Sequence, residues 1–125
     1  MELLDKQLDL LKLFKKNIIE FLDELIEQFE EEGDLIIFRF FVSEQMPIET
    51  LMKRFIEYIY PLRDMIINKN EKFFLENNNI FGSSPHDKVI HFKELYMKMN
   101  EDDRNILWVW FKAFLTICEK YQAIK

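Results

Sequence analysis

The chain has 125 residues, a length that fits one domain, 1–125, able to bury a real core. Its 49% apolar content, with 13 Phe, 4 Tyr and 2 Trp, excludes a disordered chain, and 2 Gly with 3 Pro are too few for the many tight turns of a sandwich or barrel. The net charge of −6 is uneven: residues 1–34 hold 11 acids against Lys6, Lys12, Lys15 and Lys16, while the other 91 residues hold 12 acids and 13 bases, so an acidic first element repels phosphate and direct nucleic-acid binding is not expected.

No run of 18 apolar residues occurs, which removes a transmembrane span. The start, Met1-Glu2-Leu3-Leu4-Asp5, shows neither a basic n-region nor a small-residue cleavage site, so no signal peptide is visible. The single cysteine, Cys118, fits a reducing compartment such as cytosol or nucleus.

Residues 2–32 are expected to form one long helix or two collinear ones. Leu4, Leu8, Leu11, Ile18, Leu22, Leu25 and Phe29 recur at alternating spacings of four and three, interrupted by Lys15, with Leu3, Leu10, Phe14 and Phe21 beside them. That face is wider than a two-stranded seam and suits a bundle. Glu20, Asp23, Glu24, Glu27 and Glu31 follow helical spacing opposite it and are expected to be solvated. Gly33 is expected to stop the helix as its C′ residue, with Asp34 as the next N-cap. Leu35 to Gln45 is apolar almost all round and is expected to be the most buried element, so that a charge at Ile37 or Phe40 would unfold the protein. Periodicity does not separate helix from strand there. Helix is the expectation, because no partner strand is evident and a lone strand leaves its backbone unpaired.

Pro47 suits the first position of a helix, and Ile48, Leu51, Met52, Phe55, Ile56 and Ile59 then give the clearest amphipathic pattern in the chain. Pro61 cannot donate to the carbonyl of Glu57, so a kink or restart is expected before Leu62, Met65 and Ile66. Residues 68–82 read as irregular, with Asn70 capping a short turn over Glu71 to Glu76. Ser84-Pro85-His86-Asp87 has the form of a helix start, followed by Val89, Phe92, Leu95, Tyr96 and Met99. Asn100-Glu101-Asp102-Asp103 caps a last helix that buries Leu107, Trp110, Phe111, Phe114, Ile117 and Tyr121. The fold expected is all-α, a single compact bundle of five or six helices.

Chemistry finds little purchase. His86 and His91 are five apart and fall on different helix faces, and with one thiol no zinc set is apparent. Cys118, between Ile117 and Glu119, reads as a small buried hydrophobe rather than a nucleophile. The two glycines lie 49 positions apart, which rules out a glycine-rich phosphate cradle. No catalytic, cofactor or metal residues are assigned, and no enzyme activity is expected. The unusual feature is Trp108-Val109-Trp110-Phe111. Trp110 and Phe111 fit the inner face, whereas Trp108 and Val109 are expected to point outward as interface anchors.

In Phe14-Lys15-Lys16-Asn17-Ile18-Ile19-Glu20-Phe21, Lys72-Phe73-Phe74-Leu75-Glu76-Asn77, Ile106 to Phe111 and Glu119-Lys120-Tyr121-Gln122, the chain resembles small uncharacterised helical proteins of large double-stranded DNA viruses of algae and protists. The resemblance implies a viral origin and a virion component or assembly factor, and it implies no active site. The expectation is a structural or interaction protein whose partners are its own copies or other viral proteins, placed in host cytoplasm or nucleus or in the virion. The alternative is a small adapter that holds a host protein's helix in a groove.

Overall fold

The computed structural model describes residues 2–76 and 92–124, with the side chains of residues 74–76 and 92–94 left aside. The seven α-helical segments among them are α1 (Glu2–Gln28), α2 (Gly33–Phe40), α3 (Ile48–Tyr58), α4 (Arg63–Ile67), α5 (Glu71–Glu76), α6 (Phe92–Lys98) and α7 (Glu101–Ala123). No strand occurs among the described residues, so the fold is all-α and Leu35–Val42 is helical. The expected helix start at Ser84, together with Val89, His86 and His91, lies outside the described residues.

The frame is the antiparallel pair α1 and α7. Gln28 Nε2 donates to Asp103 Oδ2 (2.5 Å) at one end, Trp110 Nε1 donates to Glu24 Oε2 (2.7 Å) further along, and Phe21 packs on Phe111 and Phe114. Phe114 sits at the centre of the aromatic core, with the rings of Phe14, Phe21, Phe55, Trp110 and Phe111 at 5.6–6.3 Å. Edge-on geometries with Phe14, Phe21 and Phe55 set the positive rim of one ring against the negative face of another. Phe55 brings α3 into this cluster, and Met52 and Ile59 close it from the same face.

The turn after α1 differs from expectation. The helix ends at Gln28, a tight turn follows in which Glu32 N donates to Phe29 O (3.0 Å), and Gly33 opens α2 instead of closing α1. Asp34 therefore lies in the first turn of α2, and Glu32 holds the N-cap position without a side-chain bond. The macrodipole accounts for the shift. Carboxylates 30–32 and 34 are unfavourable at a helix C-terminus and favourable at an N-terminus, so the chain breaks ahead of them.

After α2 comes one π-helical turn, Phe41–Gln45, closed by Met46 N to Phe41 O (2.9 Å). The helical partner of the Ser43 carbonyl would be the amide of residue 47, but Pro47 has no N–H. Lys15 Nζ supplies the missing donor at 3.0 Å. The one polar interruption in the apolar stripe of α1 thus satisfies a backbone acceptor. Pro47 stands at the N-cap of α3, one position before the N1 expected, and its carbonyl accepts from Leu51 N (3.0 Å).

Pro61 breaks the next helix as expected: a 3-10 turn over Tyr60–Leu62 separates α3 from α4. Helix α4 ends in a Schellman motif, with Asn70 N to Met65 O (2.9 Å) and Lys69 N to Ile66 O (3.1 Å). Lys69 takes the left-handed conformation that glycine usually occupies there, at φ 52°. Asn70 Oδ1 then accepts from Phe73 N (3.1 Å), which is the cap expected for α5.

The segment expected to be most buried is instead largely open. Only Leu35 and Val42, two turns apart, are buried against the bundle, while Ile37 and Phe40 are 57% and 56% exposed. Among the described residues, helix α2 packs mainly on α1, so a sequence apolar on all sides leaves much of its apolar surface open.

Two stability tests follow. Phe114→Ala should cost about 3–5 kcal/mol in urea melts, whereas Phe40→Ala should stay within about 0.5 kcal/mol. Lys15→Met keeps the aliphatic stem but orphans the Ser43 carbonyl, at a cost of about 1–3 kcal/mol. That cost should shrink in a Pro47→Ala background, where an amide N–H is restored, and an unchanged cost in the double-mutant cycle would disprove the substitution of lysine for amide.

Candidate interaction surface

Trp108, expected to point outward, is 2% exposed. Its ring meets Tyr96 (6.3 Å, 76°) and Phe111 (6.1 Å, 78°) edge-on, and its Nε1 donates to Tyr96 Oη (3.3 Å). The Tyr96 hydroxyl in turn donates to Glu71 Oε1 (2.5 Å), while Arg104 Nε donates to the Tyr96 carbonyl (3.0 Å) and its guanidinium lies 4.6 Å from the Tyr96 ring centroid. Trp108 is therefore core and not an interface anchor. The buried positions of α7, Leu107, Trp108, Phe111, Phe114, Leu115, Ile117 and Cys118, span about half of its circumference at 3.6 residues per turn. A stripe centred on Phe111 and Phe114 assumes one neighbouring helix. In fact α1 flanks one side, where Trp110 is only partly buried, and α6 brings Tyr96 to the other.

Val109 is 65% exposed, beside the exposed Ile106 one turn earlier. These two make only a narrow strip on α7. The larger apolar surface lies on α2 and the start of the π turn, where Ile36, Ile37, Phe38, Phe40 and Phe41 are all exposed within six consecutive residues. The one ionic group among them, Arg39, is turned aside and paired with Asp23 of α1. Asp23 and Glu24, expected on a plain solvated face, are thus the side chains by which α1 holds α2 and the Trp110 indole. A third apolar strip, Leu3, Leu4 and Leu8, continues the inner stripe of α1 past the point where anything buries it.

The concavities are small or open. Between α1 and α7 a space of about 30 Å³, lined by Phe21, Glu24, Leu25 and Trp110 among others, matches the volume of one water. A wide surface groove of about 370 Å³ has Ile19 and Ile48 among its lining residues with Lys12, Lys15, Lys16 and Glu20. No group of three His, Cys, Asp or Glu placed to hold a metal occurs among the described residues, and no described helix is long and apolar enough to cross a membrane.

Cys118 is wholly buried, as a small hydrophobe would be. Burial pushes its thiol up from an ordinary 9 to about 11, with Glu119 adding to the shift and the Gln122 amide, 3.4 Å away, opposing it. Burial first, then the hydrogen bond to Glu71, push the Tyr96 phenol up from 10 to about 12.

No protein-family model, curated protein or solved structure matches the chain.

The two raised groups hold their protons more tightly in the folded protein than in the unfolded chain. Their stabilisation is fully present below pH 9 and is lost as pH rises through about 11 for Cys118 and about 12 for Tyr96, because the unfolded chain releases those protons first. The melting temperature should therefore fall between pH 9 and 12, and Tyr96→Phe should flatten the upper part of that fall. Trp108→Ala should cost about 3–5 kcal/mol of folding stability and Val109→Ala less than about 0.5. Equal, small effects would return Trp108 to the surface.

Proposed function

We propose that the protein works through contact with other proteins rather than by catalysis, and that the ridge of α2 is its docking face. The observation that carries this reading is the run Ile36, Ile37, Phe38, Phe40 and Phe41, exposed along a stretch whose one ionic side chain, Arg39, is paired with Asp23 of the same chain. Large aromatic and branched side chains left in water are unfavourable unless something covers them, and such patches mark interaction sites. A role as a virion component or assembly factor accords with this surface and with the segments that resemble helical proteins of large DNA viruses. A second reading, a small adapter for a partner's helix, is favoured by one feature: the groove that includes Ile19 and Ile48 beside Lys12 and Lys16 suits an acidic amphipathic helix.

A photo-crosslinking amino acid placed at Phe40, at Lys16 and at the exposed Lys53 distinguishes these in cells that express the protein. Covalent protein adducts from Phe40, absent from Lys53, are the expected result. Adducts from Lys16 alone favour the adapter, and adducts from none of the three overturn both readings.

A further inference from the structure

We infer that the partner of the α2 ridge is a second copy of this chain, in a two-fold contact centred on Ile37 and Phe40. The inference rests on the docking reading above. Each copy carries a charge of −6, so two copies repel, and least where they meet through an uncharged face. The ridge is such a face: from Leu35 to Ser43 the single ionic side chain is Arg39, and its guanidinium is held by Asp23 of the same copy. A partner chosen for its charge would find no counter-charge there, whereas an identical apolar ridge is complementary to it. Asp34 and Glu44 stand at the two ends of the ridge, so helices crossing at Ile37 and Phe40 carry these acids away from the contact.

Area points the same way. With about 150–250 Å² on a large side chain, five residues that are 37–57% exposed leave about 500 Å² of apolar surface per copy. A partner with a small apolar patch would cover only part of it. The same patch used twice buries at most about 1,000 Å², at the small end for a specific interface, which fits a weak, concentration-dependent dimer. Phe40 of one copy would lie against Ile37 of the other and the reverse, as an isologous contact requires.

Sedimentation equilibrium on the full chain tests this. The weight-average mass should climb from monomer toward dimer across the micromolar range, and the climb should persist or steepen in high salt, where the repulsion between two acidic copies is screened. Phe40→Glu and Ile37→Glu should hold the protein at monomer mass while keeping the wild-type circular dichroism and melting temperature, since both side chains are exposed. Ile37→Gln, which adds no charge, replaces either variant if its helical spectrum is lost. A wild type that stays monomeric, an association that dissolves in high salt, or variants that associate like the wild type would each overturn the inference. A monomeric wild type whose Phe40 photoadducts carry a different protein removes the second copy but leaves the docking reading in place. The absence of any Phe40 adduct removes both.

Discussion

The structure depends on the ring of Phe114. It lies where α1, α3 and α7 converge, and each of these presents a phenylalanine to it: Phe14 and Phe21 from α1, Phe55 from α3, and Phe111 from its own helix. Aromatic rings bury a large area and prefer edge-on contact, so the cluster fixes the angular setting of three helices at once. The polar contacts between helices lie at its margin. Gln28 with Asp103 and Glu24 with Trp110 hold the register of α1 on α7, but they are exposed pairs whose individual contributions are small. Burial sets the packing, and these pairs select one alignment among those that burial permits.

Backbone accounting decides what is attached to this frame and how. The chain must reverse after α1, and it does so where a run of carboxylates changes from a liability at one helix end to an asset at the next helix start. It must turn again at Pro47, which removes a donor the preceding helix would have used, and Lys15 reaches across from α1 to replace it. That single bond ties the π turn to the middle of α1. With Arg39 on Asp23, it lays α2 antiparallel along one side of α1, with Leu35 and Val42 pointing in.

These features were unequally legible in the sequence. The stripe of α1, the pattern Ile48 to Ile59, the break at Pro61, the Asn70 cap and the start of α7 at Asn100 could all be read, because each rests on one local rule of spacing or capping. What failed needed knowledge of neighbours. Trp108 looked external because a helix touching one partner buries a narrow stripe, and nothing local announces that α6 brings Tyr96 to the far side of α7. Ile37 and Phe40 looked internal because hydrophobicity reports what favours burial, not whether a partner is available. The exchange between Lys15, Pro47 and Ser43 was equally invisible, since Lys15 lies 28 residues from Ser43 in the chain. A signal did exist for it: a lone lysine in a continuous apolar stripe is unfavourable there unless something accepts from it.

The two errors concern the same quantity, taken from opposite sides. An indole expected in solvent is buried and hydrogen-bonded, and a phenylalanine expected in the core stands in solvent. In a sequence whose local and global preferences agree, such a mismatch at α2 would be removed readily: Ile37 and Phe40 make little use of the bundle, so polar residues there would leave the core intact and reduce the tendency to aggregate. Leu35 of α2 and Val42 of the π turn are buried, and Arg39 and the carbonyl of Ser43 make the hydrogen bonds to α1. Ile37 and Phe40, each more than half exposed, contribute least to that packing. Departures from local consistency are expected at functional or strained sites, and that expectation supports the proposed docking face on the exposed ridge of α2 rather than on the tryptophans of α7.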